Sequence, residues 1–145
     1  MFKYLLATIA ALALLAGSLT ANAKGAEAKN IRVIDGDSFA CDIDLGFGTM
    51  KPDQRVRVYG FDAWESTKVR KSLNLSSAEW EQENRKGVIA KRSLENLLKF
   101  AKVVRLHEVG HEQSFSRWVV EVYADETHVA DYMKSKGHER SGGVK

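Results

Sequence analysis

The sequence holds one cysteine, Cys41, which excludes an internal disulfide framework and any cysteine-rich zinc site. It holds one proline, Pro52, and 11 glycines among 145 residues, which excludes collagen-like and Pro-rich linker character. Neither sign of charge dominates. The 22 basic and 19 acidic residues leave a net charge of +3, too little for a polybasic, histone-like binder. A nucleic-acid enzyme stays open, because it needs positive charge at one site and not everywhere. The longest apolar run, Tyr4 to Ala16, falls short of the roughly 20 residues that a membrane-spanning helix requires. What remains is a globular balance, 44% hydrophobic and 28% charged, long enough for one domain and too short for two.

Residues 1–23 read as a secretory signal peptide. Lys3 gives the positive start, Tyr4 to Ala16 the apolar stretch, and Ala21-Asn22-Ala23 the A-x-A cleavage pattern. The mature domain is then 24–145, and the expected location is periplasmic or secreted. Cys41 would be a lone thiol in an oxidising place; its expected role is a small buried hydrophobe on a strand.

Lys24 to Lys29 reads as a polar lead-in. Ile31 to Ile34 is β-rich and ends in the turn signal Asp35-Gly36-Asp37. Ser38 to Ile43 is the returning strand. Asp44 to Asp53, with Gly46, Gly48 and Pro52, reads as a loop or a long hairpin tip. Arg55 to Phe61 alternates as a third strand. A helix begins at Ser76 or Ser77 with Glu79 and Glu81 in its first turn, where the helix dipole favours acids. Gly87, Ala90, Leu94, Leu97, Leu98 and Ala101 form its apolar stripe. Its opposite face carries Arg85, Lys86, Lys91, Arg92 and Lys99 and reads as solvated. Val103 to Val109 and Phe115 to Ala124 are further strands, and Thr127 to Lys136 a short helix stopped by Gly137. The expected fold is α+β, mainly β: a five-stranded OB-type barrel with a helix between strands 3 and 4 and a short C-terminal helix. An α+β sandwich is the alternative.

Acids and arginines gather at the strand ends. Asp35 and Asp37 flank Gly36; Arg57 precedes Asp62 by five residues, Glu65 follows by three, and Arg117 opens the fifth strand. Two aspartates at adjacent strand ends offer oxygen ligands to a hard cation such as Ca²⁺. Phosphodiester cleavage also needs a base for water, for which Glu65 is suited, and donors for phosphate charge, for which the arginine fork is suited.

Three segments carry a resemblance. Val33-Ile34-Asp35-Gly36-Asp37-Ser38, Val56-Arg57-Val58-Tyr59-Gly60-Phe61-Asp62-Ala63-Trp64-Glu65 and Ser116-Arg117-Trp118-Val119-Val120-Glu121-Val122-Tyr123-Ala124-Asp125 resemble, in order, three signatures of the staphylococcal nuclease family. The resemblance runs from about Ile31 to Gly137. It implies an OB-fold nuclease that hydrolyses phosphodiester bonds in DNA and RNA with Ca²⁺. It implies Asp37, Asp62 and the carbonyl of Ala63 as metal ligands, with Asp35 behind them. Glu65 would act on the attacking water, and Arg57 and Arg117 would hold the phosphate. The implied partner is a nucleic-acid substrate, and a monomer without stable membrane association after signal cleavage is expected. The chain departs from the family at Ala63-Trp64, where Thr-Pro is common, and at Ser114-Phe115, where a Lys-Tyr pair contacts nucleotide. Its Ser38 to Gln54 segment is longer, so the hairpin tip is expected to reach over the site. The tail from Gly137 to Lys145 resembles the short Gly-rich endings of compact bacterial members.

Two other readings compete. His107-Glu108-Val109-Gly110-His111 matches HExxH, the zinc-protease motif, which needs a helix to bring both histidines to one ion; His128 or Glu126 would be the third ligand. Val103, Val104, Leu106 and Val109 favour a strand instead. The second is a catalytically inactive OB module that only binds nucleic acid or protein. It has no physical need for five charges of the types at Asp37, Arg57, Asp62, Glu65 and Arg117.

Overall fold

The computed structural model describes residues 25–66, 75–112 and 115–141. The leader and Ser114 lie outside the described residues. Five long strands are β1 (Ala26–Asp35), β2 (Ser38–Gly46), β3 (Thr49–Val58), β4 (Val104–Glu112) and β5 (Arg117–Ala124). Helix α1 (Ser77–Phe100) stands between β3 and β4. The two-residue strand β6 (Thr127–His128) and the helix α2 (Val129–Ser135) complete the order.

The sheet runs β3-β2-β1-β4-β5-β6, and a parallel pairing of β3 with β5 closes it into a barrel. All other pairings are antiparallel. Closure leaves the five strands without a long free edge and turns alternate side chains inward. Phe39, Cys41, Val56, Val58 and Val122 fill the interior, and Leu94 of α1 with Val129 and Met133 of α2 cap it. Burial pushes the Cys41 thiol up to about 12, so it stays protonated and packs as a hydrophobe.

Helix α1 starts where the sequence places it. Ser76 caps it through a reciprocal capping box with Glu79: the Glu79 N–H donates to Ser76 Oγ, and the Ser76 N–H donates to Glu79 Oε2. Its buried stripe is Glu83, Gly87, Ala90, Leu94 and Leu98; Leu97 and Ala101 pack only partly. Among the described residues no helix is long and apolar enough to cross a membrane.

Three features differ from the sequence reading, and an open choice is settled. The lead-in is strand, because Ala26 pairs with Leu106 and Glu27 with Asp44. Of the two readings of Asp44 to Asp53, the long hairpin tip holds and the loop does not: strand runs up to its turn on both sides. Its turn is Phe47-Gly48, both at positive φ, and Pro52 sits in a bulge where Pro52 and Asp53 oppose Asp42. Thr127 and His128 pair with Ala124 and Tyr123 before the last helix begins. The hairpin tip points away from the acids and arginines. Ser38 faces Arg57 at one end of the β2–β3 ladder and Gly46 faces Thr49 at the other. At a strand rise near 3.3 Å those ends are roughly 25 Å apart.

Candidate active site

The site is built at the end of the barrel where β1 turns into β2. Asp35 and Ser38 close a two-residue turn around Gly36-Asp37. The Asp35 carboxylate stabilises that turn by accepting from the Asp37 N–H (3.1 Å) and from Ser38 Oγ (2.6 Å). Gly36 is required by close approach: a Cβ there would lie 2.7 Å from Ala63 Cβ and 2.9 Å from Ala90 Cβ. Ser38 pairs with Arg57, and the Val58 N–H donates to the Asp37 carbonyl (2.8 Å), which brings the turn beside the end of β3.

After β3 the chain turns at Gly60, buries Phe61 and presents Asp62. Arg57 Nη2 donates to Asp62 Oδ1 at 2.8 Å and stands 4.0 Å from Asp37 Oδ2. One guanidinium therefore draws both aspartates together. The Ala63 N–H donates to the same Asp37 oxygen at 3.0 Å. Trp64 lies under Lys86 of α1, whose Nζ is 4.2 Å from the ring centroid, so this loop is held by a cation–π contact where the resembling family often has proline.

Strand β5 supplies the opposite wall. Arg55 pairs with Arg117 and Arg57 with Val119 in the parallel ladder. Arg117 Nε donates to Glu112 Oε2 at 2.5 Å, and its guanidinium carbon is 4.5 Å from the Phe115 ring. Between the walls lies a cleft of about 660 Å³. Arg57, Asp62, Glu65 and Arg117 line it together with Tyr59, Glu112, Phe115, Glu139 and Arg140. Asp37 and Ala63 are buried behind its wall, and Asp35 is one step further back against Asp37 and Ser38.

Carboxylates and guanidiniums are interleaved around the cleft. Four carboxylates, those of Asp62, Glu65, Glu112 and Glu139, line the cleft with three guanidiniums, those of Arg57, Arg117 and Arg140; Arg140 is paired with Glu83 and Glu139 with Lys134. Burial pushes the Asp37 carboxyl up to about 8, and the negative charge of Asp35 adds to the shift; the Ala63 N–H and Arg57 oppose it. Burial also works against the Arg57 charge, but Asp37 and Asp62 outweigh it and raise its pKa. The donors are all oxygens, which suits a hard cation such as Ca²⁺. Among the described residues no group of three or more His, Cys, Asp or Glu side chains could hold a metal, so a cation here needs carbonyl and water oxygens besides Asp37 and Asp62.

The HExxH reading fails on geometry. His107 to His111 runs along β4, where a four-residue step spans on the order of 13 Å. The two rings pack on different partners, His107 against Tyr123 and His111 against Trp118. Sequence reasoning missed Glu112, Glu139 and Arg140. Glu112 was recoverable from the β4–β5 register, which sets it opposite Arg117. Nothing local marks Arg140. No protein-family model and no curated protein matches the chain.

Proposed function

We propose that the protein is a Ca²⁺-dependent nuclease that hydrolyses phosphodiester bonds in DNA or RNA, exported by its leader to the periplasm or beyond. One observation carries the reading: Arg57 joins Asp37 to Asp62 at a cleft that also presents Glu65 and Arg117. The resemblance of those same segments to the staphylococcal nuclease family supports it. Asp37 and Asp62, with the Ala63 carbonyl, would hold the ion, which when bound neutralises phosphate charge and lowers the pKa of nearby water. Arg57 and Arg117 bind the phosphate oxygens, the second by exchanging Glu112 for substrate, and their planar forks suit the charge that grows there. Glu65 accepts a proton from the attacking water; the new P–O bond forms as the ester P–O bond breaks, and the leaving oxygen takes a proton from solvent.

The test is digestion of plasmid DNA and of RNA by the purified mature chain with Ca²⁺ and with a chelator. Cleavage that the chelator abolishes is expected. Binding without cleavage would replace the reading with an inactive OB module.

A further inference from the structure

Residues 136–140, after α2, form a strap. Gly137 turns the chain at φ +76, and the His138 N–H donates to the Met133 carbonyl (3.1 Å). Glu139 then forms an antiparallel bridge with Ala63, and the Arg140 N–H donates to the Asp62 carbonyl (2.8 Å). The Arg140 side chain continues past the loop to α1. Its Nε is 2.8 Å from Glu83 Oε1, and its Nη2 donates to Glu83 Oε2 at 3.4 Å. Glu83 is only 5% exposed and lies in the helix's buried stripe, one turn before Gly87. A carboxylate in such a position needs its cation, so Glu83 and Arg140 hold each other as an ion pair whose one hydrogen bond is that from Nη2 to Oε2.

We propose that Arg140, anchored on Glu83, is a positioning residue that holds the Asp62–Ala63 loop in register with Asp37. The strap touches that loop at the residue whose carboxylate pairs with Arg57 and at the residue whose N–H donates to Asp37. From the other side the loop rests on α1, where Asn84 Nδ2 donates to the Ser66 carbonyl at 2.9 Å. Without the strap, the Asp62 carbonyl loses its hydrogen bond from the Arg140 N–H, and the side-chain contacts of Asp62 and Asp37 with Arg57 and the Ala63 N–H remain. The consequence for turnover rests on the nuclease reading; the consequence for the loop does not.

Three readouts test this on the mature chain: exchange of the Ala63 amide and of the amide at position 140 relative to core amides such as Val56, Ca²⁺ affinity, and kcat on DNA. Arg140→Ala and Glu83→Gln should each speed exchange of the Ala63 amide and of the amide at position 140, and weaken Ca²⁺ binding and lower kcat by about tenfold or more, the usual cost of losing a group that orients ligands. The double variant should be no worse than the poorer single one, because the two side chains act as one unit. Arg140→Lys should restore part of the protection, since it keeps the charge without the fork. It also carries the test if Arg140→Ala does not fold. Val104→Ala, at the far end of β4, controls for destabilisation alone and should move none of the three readouts. Unchanged exchange and unchanged Ca²⁺ affinity in folded Arg140→Ala or Arg140→Lys would overturn the proposal. A wild-type chain that cleaves nothing, with exchange still dependent on Arg140, would remove the nuclease reading and leave the strap standing.

Discussion

The backbone of Glu65 lies directly on Gly87. A Cβ at position 87 would stand 2.1 Å from the Glu65 carbonyl oxygen and 2.6 Å from the Ser66 nitrogen, so only glycine lets α1 carry this loop. Both obstacles are backbone atoms and cannot rotate away. Gly87→Ala adds helix propensity worth roughly 0.5–1 kcal/mol in an open helix. Here the clash outweighs that gain. The variant should melt below the wild type and lose tenfold or more in turnover, because Glu65 moves with its backbone. Calorimetry and a DNA-cleavage rate check both. A more stable and fully active Gly87→Ala would show that the loop is not seated on the helix.

Asp37 gives the stability a pH dependence of known sign. Burial raises its carboxyl in the folded chain to about 8, against an ordinary value of 3.8. The folded state therefore holds a proton that the unfolded state has released across that window. Its contribution is full below about pH 4 and fades as pH rises towards 8. The cation-free protein should thus lose stability between pH 5 and pH 8 by more than Asp37→Asn does. Ca²⁺ should flatten the wild-type slope, because it takes the place of the proton. Urea midpoints at several pH values, with and without Ca²⁺, measure this. Equal slopes for wild type and Asp37→Asn would show that Asp37 titrates normally.

Much of the barrel was legible because its signals are local. Val56 and Val58 alternate with Arg55 and Arg57, and both valines are buried. Ser76 with Glu79 announced the helix start, and Gly87, Ala90 and Leu94 its buried face. The hairpin beyond Ile43 was only partly legible: its glycines marked a loop or a hairpin tip, but every residue from Leu45 to Asp53 is exposed, so no alternation of burial in the sequence separates the two. The acids and arginines of the cleft could be gathered from their places at strand ends. Their partners could not: Arg140 reaches Glu83 across 57 positions, a pairing fixed only when α2 docks on the barrel. Burial of Asp37 was hidden for the same reason, since Ala63 arrives from another loop.

His107→Ala separates the two chemistries that the sequence allowed. His107 sits on β4 and its ring meets Tyr123 at 5.5 Å, away from the cleft residues. The substitution removes one edge-on aromatic contact, worth about 0.5–1.5 kcal/mol. Nuclease activity should stay near wild type, and Zn²⁺ should confer no protease activity. Loss of cleavage in a folded His107→Ala protein would reopen the metal motif.

Glu65 and Arg117 carry the sharpest test of the proposed chemistry. Glu65→Gln keeps the size and most hydrogen bonds but cannot take a proton from water, a role worth roughly 10²–10⁴ in rate. Arg117→Lys keeps the charge but loses the planar fork, and loss of one such donor costs on the order of 10²–10³. Neither side chain belongs to the buried core, so the melting temperature of each variant should stay within a few degrees of wild type. Arg117 adds a second diagnostic. In the free protein its Nε is held by Glu112, so substrate phosphate must compete with that carboxylate. Glu112→Gln weakens the competitor while leaving the fork intact. It should lower KM with little change in kcat, the opposite of what Arg117→Lys does. Steady-state rates on a short oligonucleotide with Ca²⁺ resolve the three variants. Near-normal turnover in Glu65→Gln would remove Glu65 from the role of base, and an unchanged KM in Glu112→Gln would show that Arg117 never leaves its partner for phosphate.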